Sequence, residues 1–213
     1  MRLSPSLFNR QLRQMGQAVE WRQAQLCPCR DPISGSSRQG CPRCHGVGTF
    51  WRDAVPAWSG MSSMKTARDF ADFGQWMAGD VILTVPGASP LYAAGEHDRI
   101  MLTDSSEPFR LVLTRDGSDQ IKGGRPVVES CIWERLSDRS LVEGDLPAVA
   151  ADGSLSWSDP ATAPEPGQQY AVSGRRCPEF FVFKDLPQDR AHFGGLPLPR
   201  RIQARRFDLF GRT

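Results

Sequence analysis

Of the six cysteines in this chain, four fall within eighteen residues, as Cys27-Pro28-Cys29, an eleven-residue gap, and Cys41-Pro42-Arg43-Cys44. Two close pairs of thiols suit a tetrahedral Zn²⁺, which takes four soft donors and, with no open position, serves structure rather than catalysis. The spacing therefore predicts a four-cysteine zinc knuckle with Cys27, Cys29, Cys41 and Cys44 as ligands. Iron suits four thiolates as well. The competing chemistry is a pair of disulfides, which belongs to secreted chains, but Met1 to Arg30 is polar and rich in Arg and Gln, with no apolar leader. Arg30, Arg38 and Arg43 flank the pairs and favour thiolates, while Gly40, Gly46 and Gly48 supply the backbone freedom a knuckle turn needs. Cys-x-Cys is tighter than the usual Cys-x₂-Cys, so His45, beside the last cysteine, is the substitute ligand. The second pair, read on through His45-Gly46-Val47-Gly48, has one copy of a Cys-x-x-Cys-x-Gly-x-Gly pattern.

The remaining reactive groups do not converge on a reaction. Cys131 lies in an alternating run and Cys177 precedes a proline, and both read as packing residues. A nucleophilic set of Cys177, His192 and Asp189 can be written down, as it can for most chains of this size. There is no phosphate-binding glycine loop, no Gly-x-Ser-x-Gly elbow and no zinc-protease helix motif, so no enzyme is expected.

Charge is strongly segregated beneath a net of +2. Residues 1–52 carry +6, residues 175–213 carry +5, and the middle carries −9, with nearly all the positive charge supplied by arginine. Such a layout suits head-to-tail stacking of copies, or a basic face turned to nucleic acid or an acidic partner. Arginine's fixed fork suits carboxylates and phosphates in particular. No stretch approaches the roughly 20 apolar residues needed to cross a bilayer, so no membrane role is expected.

These groups must be held by an organised chain. After Ser4-Pro5, apolar residues from Leu7 to Val19 recur at three- and four-residue spacing, which predicts an amphipathic helix over Leu7 to Ala24, with Arg10 and Arg13 as candidate partner contacts. Phe50, Trp51 and Trp58 follow the knuckle and are expected to cap it. Ala67 to Trp76 reads as a short strand or helix. Strands are expected at Val81 to Val85, Pro90 to Ala93, Arg99 to Thr103, Phe109 to Thr114 and Val127 to Leu136, enough for a small barrel or sandwich. A hairpin at Asp152-Gly153 precedes Leu155 to Trp157, and further strands are expected at Gln169 to Gly174, Glu179 to Lys184 and Ile202 to Phe210. Residues 140–174 are reminiscent of half a fibronectin-like sandwich. The last strand, with Arg200, Arg201, Arg205 and Arg206, reads as a charged edge ready for an acidic partner. The chain is thus expected to be mainly β: an N-terminal helical arm (1–26), a zinc knuckle (27–52), a β-barrel or sandwich (53–136) and a second β segment ending in the arginine strand (137–213).

Two resemblances bear on function. Cys41 to Gly48 resembles one repeat of the DnaJ-type zinc region, over those eight residues alone. More broadly, the Arg-rich N-terminal helix, the Cys-Pro-Cys…Cys-Pro-x-Cys knuckle, the segment Phe73-Gly74-Gln75-Trp76-Met77-Ala78-Gly79-Asp80, and the closing Pro-x-Arg-Arg…Arg-Arg-Phe-Asp-Leu-Phe resemble structural proteins of tailed-bacteriophage virions, the neck or head-to-tail connector group most of all. That resemblance implies a zinc-stapled, β-rich subunit of a homo-oligomeric ring, assembled in the host cytoplasm and carried in the virion. It further implies portal, adaptor or tail proteins as partners and contacts to packaged DNA through phosphates. From the residues alone, the other reading is a zinc-knuckle nucleic-acid-binding protein acting by itself.

Overall fold

The computed structural model describes residues 4–61, 77, 79–186 and 191–210, and over these the chain is mainly β, with one N-terminal helix, a closed six-stranded barrel and a four-cysteine cluster. It divides into two units, residues 1–104 with 179–213, and residues 105–178. The expected element at Ala67 to Trp76 and most of the Phe73–Asp80 motif lie outside the described residues.

Helix α1 (Pro5–Met15) begins with proline in its first turn, where the missing N–H is no loss. It ends well before the expected Ala24. Gly16 takes extended backbone, and a Cβ there would lie 2.2 Å from the Leu12 carbonyl oxygen and 2.8 Å from that of Ser59. From Gln17 the apolar period shortens to two, as Val19 and Trp21 show, and the segment becomes a strand.

The first unit continues with β1 (Gln17–Arg22), β2 (Ala24–Leu26), β3 (Thr49–Trp51), β4 (Val55–Met61), β5 (Val81–Val85) and β6 (Arg99–Leu102). The second holds β7 (Glu107–Thr114), β8 (Val127–Glu134), β9 (Leu141–Glu143), β10 (Ala148–Val149), β11 (Leu155–Ser156) and β12 (Gln169–Arg176). The chain then returns to the first unit with β13 (Glu179–Asp185), β14 (His192–Phe193), β15 (Leu196–Pro197) and β16 (Arg200–Arg206).

The barrel runs β1-β4-β5-β16-β13-β6, every neighbouring pair antiparallel, with β6 closing on β1. Alternate residues point inward, so Val19, Leu83, Val85, Ile100, Val182 and Ile202 meet in one core. Each such side chain contributes about 1.5–3 kcal/mol on burial. Pro90 to Ala93 is a single 3₁₀ turn rather than the expected strand, because its Leu91 drops into the same core while Ser89 ties it to β4 through the Trp58 carbonyl (2.7 Å).

Two expectations about the β body change. The predicted boundaries at 53, 136 and 137 do not match the units: the barrel closes on residues 179–206, and β8 pairs with β12 across the supposed break, Trp133 opposite Tyr170. The arginine strand is not an edge either. β16 lies between β13 and β5, because Ile202 and Ala204 supply the inward apolar positions that a central barrel strand needs.

In the 105–178 unit the sheet runs β7-β12-β8-β9, beside a β10-β11 hairpin at the predicted Asp152-Gly153 turn. The half sandwich expected over 140–174 is this sheet, drawing β7 and β8 from earlier in the chain. One face buries Phe109, Val128, Cys131, Trp133, Tyr170 and Val172. Trp157 meets Tyr170 edge-on at 5.6 Å, and the Tyr170 hydroxyl bonds Asp119. Burial, then the Asp119 carboxylate, holds that phenol well above its usual range.

Candidate metal centre

The four cysteines are brought together by a short ribbon and two tight turns. β2 and β3 pair Ala24 with Trp51 and Leu26 with Thr49, and the ladder continues from the Cys27 N–H to the Gly48 carbonyl (2.9 Å). The two ends of the module are therefore side by side before any metal is considered. In the first turn the Arg30 N–H reaches the Cys27 carbonyl at 3.0 Å; in the second, His45 bonds back to Cys41 and Val47 to Cys44, each at 2.9 Å. Gly46 and Gly48, at φ +87° and +77°, allow the second turn to aim its N–H groups inward, and His45 itself adopts φ +49°. The gap between the pairs folds on Asp31, whose carboxylate accepts from the Ser34 and Ile33 N–H groups, so that its pKa is held low. Ser37 ties that loop to the second turn through the Gly46 carbonyl.

All four sulfurs lie within 4.8 Å of one another, with Cys27 to Cys41 at 3.7 Å and Cys29 to Cys44 at 3.4 Å. The six cysteines are all unbonded to one another. A metal with ligands at about 2.3 Å places tetrahedral sulfurs about 3.8 Å apart, so this spacing fits a four-thiolate metal site. Cys27, Cys41 and Cys44 are buried and Cys29 half-buried, whereas His45 is exposed and outside the group. Cys-x-Cys therefore contributes both its thiols.

The local electrostatics favour ionisation unevenly. The Cys44 and Arg43 N–H groups lower Cys41 to about 6. At Cys44 burial raises the thiol, but the Gly48 N–H and the neighbouring sulfurs outweigh it and the net shift is downward. At Cys29 the Arg38 N–H pulls down, yet burial and hydrogen bonds with the other three sulfurs push the thiol up to about 12. Four thiolates in contact repel, and a divalent cation is the natural way to hold them all ionised. Phe50 packs on the cluster with Arg43 over its ring at 5.4 Å, which meets the expectation for the first aromatic after the knuckle. Trp51 instead joins the module to the barrel: its ring meets Phe207 and Phe210 edge-on at 5.2 and 5.4 Å, and Arg99 sits 4.2 Å over Phe207.

The six arginines singled out as partner contacts fall into two groups. Arg10 and Arg201 are exposed, and exposed Arg13 sits 5.2 Å over the Trp58 ring. The other three are engaged inside the chain. Arg200 bonds Asp185 at 2.9 Å and the carbonyls of Tyr92 and Ala94 at 2.9 and 2.7 Å. Buried Arg205 forks onto Asp80 at 3.1 Å, where Gln203 also donates at 2.8 Å, and stacks 3.7 Å from the Phe183 ring. Arg206 lies over Phe180 and near Asp208.

Sequence reasoning passed over the acids that organise these groups. Asp80 anchors the arginine strand, and Asp98 accepts from the Trp21 indole (2.7 Å), the Ala24 N–H (2.7 Å) and the Gly95 N–H (2.9 Å), fixing the junction between β1 and the knuckle ribbon. Asp98 is followed by an alternating strand and Asp80 introduces another, the only local signal either had. Cys177 belongs to the 105–178 unit, His192 is an exposed residue of β14, and Asp189 lies outside the described residues.

Fold and site together define a mainly β barrel protein that carries a four-thiolate metal-binding module and an inserted β unit. No protein-family model matches the chain, and no curated protein matches its sequence. Among the described residues no helix is long and apolar enough to cross a membrane.

Proposed function

We propose that the four thiolates hold zinc and that the chain is a structural assembly protein, a subunit of an oligomeric ring in the head-to-tail connection of a tailed phage. The observation that carries this reading is the outward display of large apolar side chains on two firmly anchored elements. Leu7, Phe8 and Met15 face solvent on α1, and Leu26, Ile33 and Val47 on the metal module, Ile33 being 96% exposed. Apolar surface of this kind marks contact with other macromolecules. The metal stiffens a module that has almost no core of its own, as a joint under mechanical stress requires. Portal, adaptor or tail proteins are the partners, and packaged DNA is touched through phosphates. The test is native mass spectrometry of the purified chain, alone and with a portal ring. One zinc per chain with closed oligomers, or a monomer that joins the ring, supports the reading; a metal-free chain that joins neither itself nor the ring refutes it.

A second reading rests on a different observation. Arg30, Arg38, Arg43 and Arg52 are exposed on the module against a single acid, Asp31. A self-sufficient nucleic-acid-binding knuckle would use them on phosphates, with affinity falling steeply as salt rises. Filter binding of free DNA and RNA at low and at roughly physiological salt decides it: tight, salt-sensitive binding by the monomer favours this second reading over the first.

A further inference from the structure

Helix α1 rests on its own barrel by one side only. Leu12 reaches β4, its Cδ2 lying 2.7 Å from where a Cβ on Gly60 would be, and Arg13 covers Trp58. At about 100° per residue, Leu7, Phe8, Gln11 and Met15 fall on the adjoining arc. Leu7, Phe8 and Met15 are 59%, 45% and 79% exposed, and exposed Arg10 flanks them. The helix has no acidic residue.

The open face of the 105–178 sheet has the complementary character. Strand register places Val112, Ala171, Ile132 and Glu143 in one row across β7, β12, β8 and β9, and all four are exposed, Val112 by 69% and Ile132 by 37%. Exposed Glu129 and Glu134 lie on the same β8. This unit has eleven acids against eight bases, while the rest of the chain has thirteen acids against eighteen bases. The lengths agree as well. Leu7 and Phe8 stand about 11 Å from Met15 along the helix at about 1.5 Å per residue. Val112 and Ile132 are two strand spacings apart, about 9.6 Å, with Glu143 about 5 Å beyond.

We propose that α1 of one copy lies across the open face of the 105–178 sheet of a second copy, its apolar stripe on the Val112–Ala171–Ile132 row and Arg10 toward Glu143. The contact is heterologous: each copy offers a helix to one neighbour and a sheet to another, so it repeats until a ring closes. This deepens the ring reading above and rests on it.

Analytical ultracentrifugation of the zinc-loaded full chain, from about 5 to about 300 µM, tests the contact. The unaltered chain self-associates with rising concentration. Phe8→Asp and Ile132→Asp each weaken association at least tenfold, with metal content and circular dichroism unchanged. Mixed one to one, the two variants form a heterodimer and nothing larger, because one keeps its sheet face and the other its helix. Arg10→Glu weakens association and Glu143→Arg in the same chain restores it, an independent reading should an aspartate variant fail to fold. Association of both single variants at the unaltered strength, or a mixture that stays monomeric, overturns the proposal. An unaltered chain that is monomeric at every concentration yet joins a portal ring overturns this contact and leaves the assembly reading standing.

Discussion

A strong chelator added to the reduced, zinc-loaded protein separates the metal's contribution from that of the barrel, and the structure sets the size of the effect. The buried cluster of the module is Cys27, Cys41 and Cys44, with Cys29 and Phe50 beside them. Phe50 is its one large apolar side chain, worth about 1.5–3 kcal/mol when buried. Ordering each residue of the loop costs about 1–2 kcal/mol, so two or three residues already cancel Phe50. A structural metal site supplies on the order of 10 kcal/mol. The barrel, in contrast, has twelve buried core residues that owe nothing to the cysteines. Chelation is therefore expected to unfold residues 27–48 locally. Amide hydrogen exchange reads this directly: the N–H groups of Arg30, Gly35, Cys41, His45 and Val47, now bonded at 2.9–3.1 Å, should exchange within about tenfold of the unprotected rate. Amides of β5, β13 and β16 should keep their protection, and trypsin should begin to cut after Arg30, Arg38 and Arg43. A metal-free module that stays protected, or a barrel that loses protection together with it, would refute the reasoning.

Three further outcomes are expected. Arg205→Met should lower stability by about 3–5 kcal/mol in urea denaturation, because it leaves the Asp80 carboxylate, fully shielded from solvent, without its guanidinium; Arg201→Ala, at an exposed site, should stay within about 0.5 kcal/mol, and equal effects would contradict the assignment. Acidification from about pH 7 to about pH 5 should release the metal, since the ligands bind as thiolates and falling pH protonates them; the stability supplied by the metal is present at the higher pH and lost at the lower, and metal retention measured by native mass spectrometry that improves with acid would be the wrong sign. Burial pushes the Cys131 thiol up to about 11, so iodoacetamide at about pH 8 should leave it unmodified in the native protein and label it in urea, and rapid native labelling would show the 105–178 core to be open.

The metal site was legible because its information is local. Both thiol pairs, the glycines of the second turn and Phe50 lie within 24 residues, and their types name the chemistry before any long-range contact forms. Most strands were legible for the same reason, since the short β-branched and alternating runs at Val81 to Val85, Val127 to Glu134 and Glu179 to Lys184 are visible in any window of that length. The helix end was misjudged because Val19 fits both a period of 3.6 and a period of 2. Only the close approach of Gly16 to Ser59, a residue of β4, shows which period applies.

Strand partnership was not legible. Alternation says that a strand has two faces, and nothing local says which neighbours it will have or what will cover its outer side. Arg99 and Glu179 meet across 80 positions, and Arg205 and Asp80 across 125. The sequence by itself determined a mainly β chain with a four-cysteine metal site. Only the tertiary structure decided that residues 105–178 form an insertion, that the arginine strand is central, and that three of its four arginines are engaged by the chain itself. The reason is physical: ligand geometry depends on side chains close together in the chain, whereas the role of a charged residue depends on which distant carboxylate the closing of the barrel brings beside it.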